Sequence, residues 1–341
     1  MKQHVLSDRR QNSRVLSGMR PTGALHLGHY HGALKNWVRL QADHECFYFV
    51  ADWHALTTHY DDHADLERNV YDMVVDWLAA GIDPDRATLF IQSRLPEHAE
   101  LFTLLAMGTP LSWLERVPTY KDQMKVLTGR DLATYGFLGY PLLQAADILI
   151  YQAAFVPVGE DQAPHVEITR EVARRFNHLY GKGQKVLPEP ATLLTETSKL
   201  PGLDGAKMSK SLGNDIAMRE EPAEVERKIR RMPTDPDRVR RTDTGDPERC
   251  PVWQFHKLYS DADTRDWVVK GCTTAGIGCL ECKQPVIDAI KREQEPWRER
   301  AETFLSNPKH VHWIVEVGTE RARTVARKTM REVRGAMGLN Y

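Results

Sequence analysis

The stretch VLSGMRPTGALHLGHYHGAL, residues 15–34, and the run CFYFVA, residues 46–51, decide the fold of this chain. The apolar residues 15–18 predict a short strand, Pro21-Thr22-Gly23 predicts a turn, and the pattern of 27–40 predicts a helix. The near-continuous apolar run at 46–51 is typical of a strand buried on both faces of a parallel sheet. Strand, turn, helix and buried strand in this order predict a doubly wound α/β sheet.

The same alternation continues through the first half of the chain and then stops. A helix is predicted at 64–80, a strand at 88–92, a helix at 141–151, a strand at 155–158 and a helix at 162–179. Residues 181–205 are rich in Gly, Pro, Ser and Thr and predict a linker or mobile loop. Beyond Pro222 only helices are predicted, at 224–232, 252–259, 285–304 and 318–337.

These patterns predict two domains. Residues 1–217 form a Rossmann-like catalytic domain, interrupted by an insertion at about 107–140 and carrying a Gly-rich loop at 202–215. Residues 218–341 form an all-α domain.

Composition limits the class of protein. The chain has 341 residues and a net charge of −1, from 46 basic and 47 acidic side chains, which excludes a protein that coats nucleic acid indiscriminately. No run of eighteen apolar residues predicts a membrane span, and residues 1–11 lack a secretory signal, so a cytoplasmic location is expected. A basic stretch at 227–241 predicts either a solvated helix face or a surface that contacts phosphates.

The turn PTGALHLGH, residues 21–29, follows the first strand and opens the first helix. Its backbone can approach a polyanion, and the free N–H groups at the start of the helix favour negative charge. His26 and His29 lie on one face of the first helical turn, where neutral imidazoles can donate hydrogen bonds to phosphate oxygens. By itself the pair is weak evidence, because surface or core histidines can show the same spacing.

A second element, Lys207-Met208-Ser209-Lys210-Ser211, lies in the Gly-rich loop. A lysine is a compact charge on a flexible stem and suits contact with a moving triphosphate, although a Lys-rich loop is more often only solvated. The two elements together resemble the HIGH and KMSKS signatures of class I aminoacyl-tRNA synthetases.

The resemblance narrows to the tryptophanyl-tRNA synthetases. The segments that carry it are SGMRPTG at 17–23, ADWHA at 51–55, AADIL at 145–149, VGEDQ at 158–162, the helix that follows 162, and AMGL at 336–339. Arg20 stands where many bacterial members have Gln, and Gln144 where the better-studied members have Met.

This resemblance implies a two-step reaction in which L-tryptophan and Mg-ATP form tryptophanyl-adenylate, and tRNA(Trp) then accepts the aminoacyl group. The residues it assigns to catalysis are His26, His29, Lys207 and Lys210. Those it assigns to ATP are Arg20, Pro21, Thr22, Gly28, His29, Gly159, Glu160, Asp161, Leu200, Lys207, Met208, Ser209, Lys210 and Ser211. Those it assigns to tryptophan are Asp147, Tyr140, Gln144, Gln162 and His54, with Asp147 accepting the indole N–H.

Three other functions are compatible with part of the pattern. A tyrosyl-tRNA synthetase shares the fold and the layout of the site, although the segment after Asp161 favours tryptophan. Other nucleotidyltransferases with HIGH-like turns, such as pantothenate synthetases, lack the KMSKS pentad and the helical domain. A synthetase-like protein reused for RNA binding or regulation would not need both signatures intact.

Members of the family are homodimers whose interface is built around the insertion. Here the insertion carries the apolar side chains of Leu111, Trp113, Leu114, Val117 and Tyr120. We expect a homodimer on this basis, and the alternative is that these residues pack onto their own sheet.

Four of the five cysteines fall in the C-terminal third, at Cys250, Cys272, Cys279 and Cys282, with intervening lengths of 21, 6 and 2. Such clustering predicts a metal site, and spacing alone leaves iron, zinc and free buried thiols open. Structural zinc sites commonly use two Cys-x-x-Cys pairs, whereas this chain has one. That asymmetry, and the resemblance to a subset of tryptophanyl-tRNA synthetases with a 4Fe–4S cluster at this place near the tRNA anticodon, favour a cluster over Zn²⁺.

Overall fold

A computed structural model of the chain describes residues 13–117, 133–159, 163–194 and 200–341. Within these ranges a parallel five-stranded sheet has the spatial order β3-β2-β1-β4-β5. The strands are β1 Val15–Met19, β2 Cys46–Val50, β3 Ala87–Ile91, β4 Phe155–Val158 and β5 Ala191–Leu194. Helix α1 runs through Leu27–His29, a π-helical turn at Tyr30–Leu34, and Lys35–Leu40. The other helices are α2 Asp52–His59, α3 Leu66–Ala80, α4 Glu97–Ala106, α5 Leu111–Glu115, α6 Tyr135–Ile150, α7 Ala163–Tyr180, α8 Pro222–Arg231, α9 Pro251–Tyr259, α10 Ala262–Thr273, α11 Cys279–Leu305 and α12 Pro308–Ala336.

The predicted doubly wound sheet is confirmed. β2 is buried at every position and pairs in parallel with β1, Val15 opposite Cys46 and Met19 opposite Val50. On its other side β1 pairs with β4, Val15 opposite Phe155. The strand order therefore switches at β1: β2 and β3 lie on one side of it, and β4 and β5 lie on the other. In such folds the usual ligand site is a crevice at the carboxyl ends of the two strands at the switch, here β1 and β4.

The prediction of an unstructured linker at 181–205 is wrong in part. Ala191–Leu194 forms the edge strand β5, which pairs with β4 from Phe155 opposite Ala191 to Val158 opposite Leu194. A four-residue edge strand shows little alternation of apolar and polar residues, and its pairing comes from the neighbouring strand instead of local pattern.

Helices α6 and α10 also differ from the prediction. α6 begins at Tyr135, well before Pro141, because the Thr134 side chain accepts a hydrogen bond from the Phe137 N–H and caps the helix. α10 was not predicted, although Asp261 caps it by accepting the Thr264 N–H at 2.8 Å.

The C-terminal helices pack back onto the sheet. Ile314 and Val315 of α12 share a buried apolar cluster with Leu89 of β3. Gly318 of α12 lies so close to this edge strand that a Cβ placed on it would stand 1.8 Å from the Leu89 carbonyl oxygen. A division of the chain near residue 217 remains a prediction. Among the residues described, no helix has the length and apolar character that a membrane crossing requires.

Candidate active site

A cavity of about 380 Å³ opens at the carboxyl ends of β1 and β4, where the order of the strands reverses. The predicted site residues that line it are Arg20, His54, Tyr140, Gln144, Asp147 and Gly159. The structure thus brings together residues from the end of β1, from α2, from α6 and from the end of β4. A concave, partly apolar site at this position is the expected place for a small ligand.

Asp147 is 1% exposed and lies on the α6 side of this cavity. His54 Nε2 lies 2.8 Å from Asp147 Oδ2, and His98 Nδ1 lies 2.6 Å from Oδ1. Gln92 Nε2 donates to both oxygens, at 2.8 and 2.9 Å. Burial acts to raise the pKa of the Asp147 carboxyl, but the hydrogen bonds from His54 and His98 outweigh it and hold the pKa below its ordinary value. Asp147 is therefore an ionised carboxylate surrounded by N–H donors.

Gln92 and His98 were not predicted as site residues. Gln92 directly follows β3 and His98 lies on α4, and both side chains are fully buried. His98 Nε2 and the Tyr151 hydroxyl also form a hydrogen bond, with 2.7 Å between the nitrogen and the oxygen. These residues stand about fifty positions from Asp147 in sequence, so spacing carries no signal of the contact.

The HIGH-like segment begins α1, as predicted. His26 is buried, and the His26 backbone N–H donates to His29 Nδ1 at 3.2 Å. Burial, followed by the charges of His26, Lys210 and Lys207, lowers the pKa of His29 to about 3. The His29 imidazole is therefore neutral near pH 7, and because Nδ1 accepts, its proton resides on Nε2. That leaves the Nε2–H as a donor.

The KMSKS-like loop lies over this segment. Met208 Sδ accepts a hydrogen bond from the Gly28 N–H at 3.4 Å, and a Cβ on Gly23 would stand 2.5 Å from Lys210 Nζ. Gly23 has a φ of +121°, a conformation that L side chains rarely adopt. The two signatures, about 180 residues apart in sequence, thus form one surface.

Two buried polar side chains hold this arrangement and were not predicted. Asn214 accepts the Ser209 N–H at 2.7 Å and donates to the Lys207 carbonyl at 3.1 Å, which shapes the loop from within. Asp76 of α3 accepts the Leu25 N–H at 3.1 Å and the Arg219 Nε–H at 2.5 Å, which ties the segments flanking both signatures to one carboxylate.

Some predicted site residues cannot be placed. Glu160, Asp161 and Gln162 lie outside the described residues, as does Tyr120 of the insertion. Leu200 is buried in the same apolar cluster as Met208.

The four C-terminal cysteines lie at the ends of three helices. Cys250 precedes α9, Cys272 lies near the end of α10, and Cys279 and Cys282 lie in the first turn of α11. Burial, and after it the proximity of the other three thiols, raises the pKa of Cys282 to about 12, so the four form one cluster. Arg238 Nη1 lies 3.8 Å from Cys272 Sγ, and His256 Nε2 lies 3.4 Å from Cys282 Sγ. Across the described part of the chain, no set of three or more His, Cys, Asp or Glu side chains is arranged to hold a metal ion as it stands.

Comparison with known proteins agrees with this geometry. Residues 8–293 match the family model of the class I tRNA synthetases for tryptophan and tyrosine (W and Y). The tryptophan--tRNA ligase of Ralstonia nicotianae is 59% identical, and the alignment covers 96% of this chain and 99% of that protein. The tryptophan--tRNA ligase of Thermotoga maritima is 54% identical, covering 96% of this chain and 100% of that protein.

Solved structures show the same relationship. A tryptophanyl-tRNA synthetase from Campylobacter jejuni, complexed with ADP and tryptophan, superposes with a TM-score of 0.85 at 33% sequence identity. The superposition covers 96% of this chain and 100% of that one. The chain therefore belongs to the class I tRNA synthetases of tryptophan and tyrosine, and within them to the tryptophan--tRNA ligases.

Proposed function

We propose that this chain activates L-tryptophan with Mg-ATP and transfers it to tRNA(Trp). The tryptophan carboxylate attacks the α-phosphorus, tryptophanyl-adenylate forms and pyrophosphate leaves. The 2′-hydroxyl at the 3′ end of the tRNA then takes the acyl group and AMP leaves. The observation that carries the proposal is the ionised, buried Asp147 in a cavity at the strand switch point, with Arg20, which directly precedes the first signature segment, also lining that cavity.

In the amino-acid site, Asp147 would accept the indole N–H. Tyr140, Gln144 and His54 would line the remainder, together with Gln162, which lies outside the described residues. A buried carboxylate selects for a substrate that brings a donor, because an analogue without one leaves the charge less well solvated.

In the ATP site, the neutral His29 would donate from Nε2 to a phosphate oxygen, with His26 beside it. The contacts expected from the first signature are Arg20, Pro21, Thr22 and Gly28, and Gly159, Glu160, Asp161 and Leu200 would hold ribose and adenine. The second signature would contribute Lys207, Met208, Ser209, Lys210 and Ser211. Transfer of this kind needs positioning and charge neutralisation and no nucleophilic side chain of the protein.

The function is tested by ATP–pyrophosphate exchange with each amino acid, followed by acylation of tRNA. We expect exchange with tryptophan at a rate far above that with tyrosine, and acylation of tRNA(Trp). Faster exchange with tyrosine would overturn the assignment to tryptophan, and RNA binding without exchange would indicate a regulatory protein.

Replacement of Lys207 or Lys210 by alanine should slow adenylate formation more than it weakens ATP binding. The contacts of both ammonium groups should strengthen as charge moves onto the departing pyrophosphate, so their loss raises the barrier by roughly 2 kcal/mol or more. Single-turnover rates and equilibrium ATP affinity measure the two quantities separately. Lys185→Ala, at an exposed lysine away from the cavity, is the matched control. Equal losses in rate and affinity would identify ordinary binding lysines.

The helical region 218–341 is proposed to bind the tRNA anticodon, with a metal site in its four-cysteine cluster. Arg238 lies beside Cys272 and offsets part of the burial that raises the pKa of that thiol, and a bound metal cation would favour the thiolate further. Cys250, Cys272, Cys279 and Cys282 would hold a 4Fe–4S cluster, or alternatively Zn²⁺. The bound group would shape the RNA-binding surface through the segments its ligands join.

Anaerobically purified protein should show broad visible absorption and about four iron atoms per chain if the cluster is present. Cys282→Ser should abolish both signals, because it removes one of four ligands, whereas Cys46→Ser, at a buried cysteine of β2, should retain them. A colourless protein with one zinc per chain would contradict the cluster and support the alternative.

A homodimer is proposed from the insertion. Leu114 and Val117 pack onto their own chain, whereas Leu111 is 56% exposed and Met107 71% exposed. Exposed apolar side chains within the insertion favour an interface. Light scattering at micromolar concentration should give about twice the 39.0 kDa mass of one chain, and a mass of one chain would contradict it.

A further inference from the structure

The buried carboxylate of Asp147 has three side-chain donors, and they differ in access to the cavity. His54 lines the cavity, whereas Gln92 and His98 are fully buried and lie behind Asp147. We propose that His98, held by Tyr151, is a positioning residue that fixes the orientation of Asp147 for the N–H group of the substrate's aromatic ring. This inference rests on the proposed role of Asp147.

The hydrogen-bond geometry shows which oxygen of Asp147 a ligand can reach. A carboxylate offers about four acceptor directions. Gln92 Nε2 spans both oxygens, His98 takes Oδ1 at 2.6 Å, and His54 takes Oδ2 at 2.8 Å. A ligand N–H entering from the cavity would share or replace the contact of His54. The contact with His98 would persist and hold the carboxylate plane during the exchange.

Tyr151 determines which nitrogen of His98 carries the proton. Burial raises the pKa of Tyr151 well above its ordinary value, so its hydroxyl stays protonated and can donate to His98 Nε2, 2.7 Å away. A neutral imidazole that accepts at Nε2 has its hydrogen on Nδ1, which faces Asp147. The dyad thus presents the Nδ1–H as a donor to Asp147. This is the arrangement by which an outer partner orients a ligand-binding group.

The side chains packed around the His98 ring hold it in place against Asp147. Phe49 and Phe90 pack around it, with ring centroids 6.2 Å from the imidazole in each case, so the ring is fixed in place. His98 has no exposed surface and would not touch the substrate. Replacing His98 should therefore affect only ligands that contact Asp147, and it should leave the KM for ATP unchanged.

The experiment compares tryptophan with its benzothiophene analogue, in which sulfur replaces the ring N–H. Adenylate formation is measured for both substrates in the wild type and in His98→Phe, which retains an aromatic ring and loses the donor. We expect the wild type to prefer tryptophan by about tenfold or more in kcat/KM. We expect His98→Phe to reduce that preference at least about threefold, chiefly through tryptophan, with KM for ATP unchanged.

Three further variants separate positioning from packing. His98→Asn places an amide near the former Nδ1 and should restore part of the preference. Phe90→Leu disturbs the packing around His98 without touching Asp147. It should lower kcat/KM for both substrates by the same factor. Tyr151→Phe removes one oxygen atom and should give a smaller loss of preference, which keeps the test available if His98→Phe does not fold.

The outcomes are distinguishable. A wild type that does not prefer tryptophan over the sulfur analogue would contradict the proposed role of Asp147 itself. If the wild type prefers tryptophan and both His98→Phe and Tyr151→Phe retain that preference, the positioning role of His98 is overturned. Parallel loss for both substrates in these variants would show only structural support and would likewise overturn it.

Discussion

Replacing Asp147 by alanine is expected to lower kcat/KM for tryptophan by at least about tenfold and to leave KM for ATP nearly unchanged. The substitution removes the acceptor proposed for the indole N–H and leaves three buried donors, on His54, Gln92 and His98, without their carboxylate. A hydrogen bond to a charged group contributes about 1.5–3 kcal/mol. Steady-state pyrophosphate exchange with varied tryptophan and varied ATP measures the effect.

Asp52→Ala provides the control for this variant. Asp52 is also a buried acid in the catalytic half, where it accepts the backbone N–H groups of Trp53 and Ser93 at 3.1 Å, but it does not line the cavity. Asp52→Ala should lower the free energy of unfolding without a selective loss of kcat/KM for tryptophan. A selective loss of the same size in Asp52→Ala, or none in Asp147→Ala, would contradict the assignment of the amino-acid site.

Gly318→Ala is expected to destabilise the chain by about 3 kcal/mol or more, although alanine ordinarily favours a helix. The added methyl would stand 1.8 Å from the Leu89 carbonyl oxygen and 2.8 Å from the carbonyl carbon, and both atoms belong to the sheet backbone. Neither can move without disturbing β3, so α12 must shift away. The free energy of unfolding in urea measures the loss.

Gly136→Ala is the matched substitution for this test. Gly136 also lies in a helix, α6, and an added Cβ there meets no heavy atom within 4 Å. Its stability should be unchanged or slightly raised by the better helix propensity of alanine. If both variants were equally stable, close packing of α12 on β3 would not be a determinant of the fold.

The sequence predicted the elements whose local pattern is strong. The buried runs of β2 and β4 and the helix α3 carry clear apolar patterns, and the two signatures were recognisable because each is a fixed short motif. β5 and α10 escaped prediction because β5 depends on pairing with β4, and α10 alternates charged and apolar residues in a way that gives only a weak pattern.

The site was predictable to a similar extent. Asp147 could be singled out because an acid inside an apolar helix requires a partner, yet the sequence gives no indication which partner. Gln92 and His98 reach Asp147, and Tyr151 reaches His98, through the packing of β3, α4 and α6. Asp76 and Arg219 meet across 143 positions. Such contacts follow from tertiary structure, and no spacing rule describes them.

The position of α12 has a consequence for the order in which the chain is synthesised. β3 is an edge strand of almost wholly buried apolar residues, and the helix that packs against it is the last one along the chain. During translation β3 therefore leaves the ribosome long before its cover exists, and an uncovered apolar strand edge is a template for pairing with other chains. A nascent polypeptide that stalls before residue 308 would expose the edge of β3 to pairing with other chains. Once α12 has been synthesised and packs onto β3, that edge is covered.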